Sequence, residues 1–392
     1  MRKESCVTRR TFLKESLSSV LAVSSVLPMH AGAGTYAALP TSPVGIARCR
    51  RYDFDLIKSA LSGLFDQIGG VQSLVSGKTV SVKINLTGGW NVPTFTLPAV
   101  QTVYTHPLIA LAACRLFYEY GARRIIICES LYSNDEKRIA YTNYGYSVTL
   151  FESSVPNLVW EDTHNRGTGG GYKALPVGNG AYLYSSFQFN CCYVDTDVVV
   201  SIPKMKNHFI AGITLSLKNM FGSTPSALYS SSVDDELTTS SRENVLHNGG
   251  LSAAGGEVFP VPSIDPGYRV PRAVVDIVRA RPIDLCIIDG IVTMYGGEGA
   301  WHNTRLGIAV PGLIIAGKNA VCTDAVAAAI MGYDPQAPDG TKPFVNGSNM
   351  LRLAAESGLG TNHISDIDVI GLSIPEARYT FPPTYKSRES YP

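Results

Sequence analysis

The chain has 392 residues, of which 45% are hydrophobic and 17% charged, enough apolar material for a sizeable core in one or two domains. That composition excludes a globally disordered protein. Lysine plus arginine (33) and aspartate plus glutamate (32) nearly cancel to a net charge of +1, which excludes a protein whose main task is holding bulk nucleic acid but leaves room for a local basic cluster.

Arg9 and Arg10 lie in TRRTFLK, followed by ESLSSVLAVSSVLPMHAGAG. A basic start, a short weakly apolar stretch and small residues near AGA or YAA read as a twin-arginine export signal over residues 1–38. The expected partner is the twin-arginine export machinery, and the expected location is periplasmic or extracytoplasmic. The apolar stretch is too short and too serine-rich for a stable transmembrane span in the mature form.

Residues 39–392 read as the mature α/β region. In DFDLIKSALSGLFDQI (53–68) the apolar residues Ile57, Leu61, Phe65 and Ile68 recur at helical spacing. Residues 79–86 read as a strand, and TGGWNVPTFTLP as a mobile or binding loop. THPLIALAACRLFYEYGA reads as a helix with Thr105 as candidate cap, Pro107 in the first turn and Gly121 as the stop. RRIIICES is the next strand, so 79–129 is a β–α–β unit with parallel strands. GTGGGYKALPVGNG predicts a hairpin, VDTDVVVSIPK a further strand, and the polar stretch 223–265 a long surface excursion that serves as a lid. PRAVVDIVRARP is helical, and DLCIIDG, GLIIAGK and DIDVIGL are strands alternating with the helices of NAVCTDAVAAAIMGYDP and NMLRLAAESGLG. This alternation predicts an α/β fold of largely parallel sheets with flanking helices, in two lobes (about 45–200 and 201–380) around a cleft.

Ligands gather outside the carboxyl ends of such strands, and ionisable side chains recur there. Glu129 ends IIICE, Asp289 ends CIID, and Lys83 and Asn85 close VSVKINL. Lys83 alternates with apolar residues, so it either points to water or opens a ligand surface with Asn85. Lys204, Lys206 and His208 follow VVVSIP at a spacing of two, which puts them on one face if the chain is extended. Such a face suits an anion or carboxylate. Lys218 sits between apolar residues in ITLSLKNMFG and is followed by Asn219. A buried lysine needs a partner, or else loses its proton readily and becomes a base or nucleophile. Asp289, Glu298 and His302 in DGIVTMYGGEGAWH, with Asp324 at the start of a helix, offer oxygen and nitrogen donors for a divalent metal. Asp324 equally suits the helix dipole, Glu129 a lysine partner, and His106 a helix entry.

Eight cysteines are present without a CxxC pair, so neither a zinc ribbon nor an iron–sulfur cluster is expected. No Walker sequence, GxGxxG or GxSxG elbow occurs.

The segments VKINL, THPLIALAACRLFYEYGARRIIICES, VVVSIPKMKNHFIAGITLSLKNMFG, DLCIIDG and NAVCTDAVAAAIMGYDP resemble, in this order over roughly residues 79–370, the family called domain of unknown function 362. The family's lysine–any–lysine–any–histidine and lysine–asparagine–(Met/Leu)–Phe–Gly elements match at Lys204, Lys206, His208, Lys218, Asn219, Phe221 and Gly222. Asp289, Gly290 and Asp324 match its strand end and its helix aspartate. The resemblance implies a shared site. Many relatives carry ferredoxin-like cysteine clusters, which this chain lacks.

Together these readings predict a cleft that takes a small anionic molecule, a metal or a metal-bound cofactor. Lys83, Asn85, Lys204, Asn219 and Glu129 would bind it. Lys218, His208 and Lys206 would act in acid/base chemistry. Two other accounts stay open: a non-catalytic metal- or cofactor-handling protein of the cell envelope, and buried salt bridges that only fix the fold.

Overall fold

Strands that alternate between two apolar faces can be buried on both sides, and that pattern sets the architecture. The computed structural model describes residues 39–382, apart from 89–92, 169, 233–234, 240–241, 259–262 and 302–305. The expected signal at 1–38 therefore lies outside the described residues. In chain order the strands are β1 (Val44–Arg48), β2 (Thr79–Ile84), β3 (Arg124–Glu129), β4 (Leu158–Asp162), β5 (Tyr172–Pro176), β6 (Ser186–Asn190) and β7 (Val198–Ile202). They continue with β8 (Lys206–His208), β9 (Gly212–Thr214), β10 (Leu285–Gly290), β11 (Thr293–Tyr295), β12 (Gly307–Ala309), β13 (Leu313–Gly317) and β14 (Val369–Gly371).

Eight of them form one sheet in the order β14-β1-β13-β10-β7-β2-β3-β4. Its neighbours pair in parallel except where β13 runs against both β1 and β10. The expected α/β class with a largely parallel sheet is what the chain adopts. Strands from either side of residue 200 join this one sheet, so the lobes read from sequence share a continuous β-layer.

Val80, Val82, Ile84, Val198, Val200 and Ile287 face one core, under the helices Phe54–Gln67 and Pro107–Glu119. Val199, Cys286, Ile288 and Ile315 face the other, under Pro266–Ala280, Ala320–Ile330 and Met350–Glu356. The predicted hairpin is β5 paired antiparallel with β6. The helix Pro107–Glu119 corrects one expectation. Its cap is His106, whose Nδ1 accepts the Leu108 N–H at 3.2 Å. Thr105 is diverted because its buried hydroxyl bonds the Ile202 carbonyl and the Asn85 N–H, tying the ends of β2 and β7 together.

From β2 the chain moves outward through β3 to β4, and from β7 it moves the opposite way to β10. β2 and β7 are neighbours, so a crevice opens at their carboxyl ends, where the winding reverses. That is the position at which open α/β sheets take their ligands.

Candidate functional site

A cavity of about 360 Å³ occupies this crevice. The sheet edge supplies Lys83 and Asn85 after β2 and Glu129 at the end of β3. β8 and β9 supply Lys206, His208 and Thr214, and the short helix Ser216–Asn219 supplies Lys218 and Asn219. Tyr132, Phe221, Arg242, His247, Glu298 and Trp301 complete the wall.

Three of the predicted ligand-binding residues are occupied with one another. Lys83 is buried, and its Nζ meets the Glu129 carboxylate at 2.7 Å, the Ile84 carbonyl at 2.7 Å and Asn219 Oδ1 at 3.3 Å. Asn219 Nδ2 donates back to the Lys83 carbonyl at 3.1 Å and to Ser201 Oγ at 3.0 Å. Glu129 also accepts the Leu86 and Ser130 N–H groups at 2.8 and 2.9 Å. Burial pushes the Glu129 carboxyl up and the Lys83 ammonium down, and their mutual attraction opposes both shifts. Three acceptors around Lys83 and three donors around Glu129 suit the charged forms, so the pair is ionic and forms the floor of the cavity. Gly222 lies against it: a Cβ there would stand 3.0 Å from Lys83 Nζ and 3.1 Å from Glu129 Oε1. The glycine of KNMFG is thus a close approach to the ion pair.

Lys204 and Asp289 are placed elsewhere, correcting their assignment to ligand and metal. Residue 204 is still in bridge register with Asp289, and the chain turns at Met205 before β8 begins. Lys204 is wholly buried and donates to Asp289 Oδ2 at 2.7 Å, Tyr52 Oη at 2.9 Å and the Gln101 and Val292 carbonyls. Asp289 further accepts the His106 and Ile291 N–H groups and the Tyr52 hydroxyl. Neither residue lines the cavity.

Asp324 is also outside the cavity. Its two carboxylate oxygens each accept one backbone N–H at 2.8 Å, from Ser216 and Leu217, at the start of the turn that carries Lys218. Burial without a cation pushes its pKa up to about 7. The expected metal donors are therefore not assembled: Asp289 holds Lys204, Asp324 holds backbone amides, and His302 lies outside the described residues. Among the described residues no group of three His, Cys, Asp or Glu side chains is placed to hold a metal ion.

What remains is the set that faces the cavity without closing on itself. Lys206 Nζ donates to the carbonyls of Val103 at 2.7 Å and Glu298 at 2.6 Å, and burial drives its pKa well down. His208 Nδ1 accepts the N–H groups of Ile210 and Ala211 at 3.2 and 3.3 Å. Those bonds use the Nδ1 lone pair, so the neutral ring carries its proton on Nε2. Burial holds the ring neutral, and the Glu298 carboxylate, 3.7 Å away, does not reverse this. Lys218 has no ion-pair partner among the described residues. Its Nζ stands 4.3 Å from the Phe221 ring centroid, and burial pushes its pKa down to about 8.

Sequence reasoning missed Arg242 and His247. Both come from the polar excursion, part of which lines the cavity. Arg242 is buried, donates to the Thr224 carbonyl at 3.0 Å, and has no carboxylate partner among the described residues. The His247 ring lies 5.4 Å from that of Phe221, and burial, with the Lys218 charge, lowers its pKa to about 3. The available signal was one arginine and one histidine within a stretch otherwise rich in serine and glycine.

The fold and the site define an α/β protein with a cation-rich cavity at a topological switch point. The chain belongs to the family described as Domain of unknown function (DUF362), whose sequence model matches residues 80–329. A thylakoid-associated protein of Synechocystis sp. is 23% identical over 342 residues, covering 85% of this chain and 88% of that protein. A Thermotoga maritima protein of known structure shares 14% identity at a TM-score of 0.33, covering 80% of this chain and 60% of that one. The lactate racemase apoprotein from Thermoanaerobacterium thermosaccharolyticum shares 14% at a TM-score of 0.34, covering 69% and 54%. The matches thus span three fifths and just over half of the lengths of those two solved chains. Among the described residues no helix is long and apolar enough to cross a membrane.

Proposed function

We propose that this chain binds a small organic anion in the cavity and moves a proton on it. The observation that carries the reading is Lys218. Its amine faces the cavity, lacks an ion-pair partner among the described residues, and has its pKa brought down to about 8. About a tenth of it is therefore unprotonated at pH 7 and about half at pH 8, which suits a general base. Arg242 faces the same space and holds the negative charge that proton removal leaves on the ligand. His208, with its proton on Nε2, acts as a neutral donor rather than as a second base.

A test needs no knowledge of the substrate. The purified protein is incubated with a small-metabolite extract in deuterated water, and mass spectrometry reads deuterium entering carbon. One or a few carboxylates gain label with the native chain and none with Lys218→Ala. Equal labelling by both proteins would remove Lys218 from the role. A retained ligand that never gains label would make the chain a binding protein instead.

The same reading places the protein outside the cytoplasm, because TRRTFLK and the apolar stretch after it have the form of a twin-arginine signal. Replacing Arg9 and Arg10 with lysine retains the protein in the cytoplasmic fraction of a host with that pathway. Unchanged fractionation would end the export assignment.

A further inference from the structure

Lys218 rides on a helix of a single turn, Ser216–Asn219. One turn fixes several backbone dihedrals for very little internal hydrogen bonding, so it does not persist without anchors outside itself. Its first N–H groups have no partner within the helix and, being buried, need acceptors. Ser216, Leu217 and Asn219 are buried, and Lys218 is the one residue of the turn with partial exposure. Whatever seats the turn therefore also decides where the amine points.

The two ends are held from different sides. At the far end the Asn219 carboxamide donates to the Lys83 carbonyl at 3.1 Å and to Ser201 Oγ at 3.0 Å. At the start, Ser201 Oγ donates to the Ser216 carbonyl at 3.1 Å, and the Ser216 and Leu217 N–H groups each donate to one oxygen of Asp324 at 2.8 Å. Asp324 is wholly buried on the helix Ala320–Ile330 and does not line the cavity. A carboxylate, with two oxygens that only accept, suits two amides at once, whereas an asparagine there would turn an NH₂ group toward one of them. Burying a carboxylate without a cation is costly, and here it raises the pKa to about 7. Asp276 offers a contrast. It is another buried carboxylate, and it accepts the N–H groups of Tyr182, Leu183 and Tyr184 at 2.9, 2.7 and 3.2 Å, but none of those residues lines the cavity.

We propose that Asp324 is a positioning residue for Lys218: by gripping the Ser216 and Leu217 amides it seats the turn so that the amine faces the cavity. This rests on the reading of Lys218 as the base and adds to it a residue that never touches the ligand. Its mark falls on the protonation of Lys218. A loosened turn lets water reach the amine and removes the desolvation that lowers its pKa.

The experiment is an NMR titration of the full chain labelled with ¹³Cε-lysine, the Lys218 signal being assigned by its loss in Lys218→Met. In the native protein the midpoint lies near 8. In Asp324→Asn it rises by about one unit or more toward the ordinary 10.5. Asp324→Ser, smaller and open to water, moves it the same way and takes the place of the asparagine variant if that one does not fold. Asp276→Asn loses stability but leaves the Lys218 midpoint near 8, which separates positioning from a general loosening of the fold. A midpoint still near 8 in both Asp324 variants would overturn the positioning role, and so would equal shifts in Asp324→Asn and Asp276→Asn. A native midpoint near 10.5 would instead overturn Lys218 as the base, and this inference with it. Thermal melting of each variant checks that the fold is kept.

Discussion

Lys204 and Lys218 leave the same strand region fourteen residues apart and meet opposite fates. Lys204 is closed on Asp289, a tyrosine hydroxyl and two carbonyls, while Lys218 faces a cavity with an aromatic ring beside it and no carboxylate partner among the described residues. Burial differs in degree, complete at Lys204 and partial at Lys218, and does not by itself separate them. The partner does. A buried lysine with a full set of acceptors is a structural part, and one without them has affinity left for something else.

The largest expected effect breaks the closed side. Lys204→Met alone leaves the Asp289 carboxylate buried without its cation and costs about 3–5 kcal/mol in chemical denaturation. Lys204→Met with Asp289→Leu recovers much of that loss. If the single and double variants are equally destabilised, the pair is not the unit described here. A smaller effect comes from the cavity floor. Gly222→Ala pushes a methyl against the Lys83–Glu129 pair and costs about 1–3 kcal/mol, read from the denaturation midpoint.

The pH dependence of stability sharpens the comparison further. Asp324 has its pKa raised from 3.8 to about 7, so the folded chain binds more protons than the unfolded one between those values. Its contribution to stability is full below pH 3.8, falls as pH rises through that window and is gone above about 7. Asp324→Asn removes that slope from a series of melts between pH 4 and 8. Lys218 works in the opposite direction. Its pKa drops from 10.5 to about 8, so the unfolded chain binds more protons over that range and stability rises from pH 8 to 10.5. At neutral pH Lys218→Met brings no loss of stability, because no partner loses its mate and a desolvated ammonium is removed. A loss as large as that of Lys204→Met would put both lysines in one class.

Much of the sheet was legible in the sequence because its strands are short apolar runs closed by turns, and its helices carry clear stops. Gly121, at φ +86°, ends Pro107–Glu119 where expected. The site was legible in its types more than in its pairing. KMKNH predicted a shared face, and Lys206 and His208 do share the cavity wall. Lys204 does not, since one bend at Met205 turns it toward the next strand's aspartate, and spacing along a chain carries no record of such a bend. The same limit explains Asp324. Its position in an alanine-rich helix shows a buried carboxylate, but the two amides it holds lie more than a hundred residues away in sequence. Arg242 and His247 were hidden because their segment has no periodicity from which a direction could be read.

The excursion that brings Arg242 and His247 has a consequence for how selectivity can change. The amine, the imidazole and the carboxamide sit on the sheet edge and the elements that follow it, whereas one wall of the cavity arrives on a separate surface segment. Exchanging that segment would reshape one wall of the cavity without moving Lys218, His208 or Asn85. Loop replacement alone can therefore redraw that wall while the Lys83–Glu129 floor beneath it stays in place.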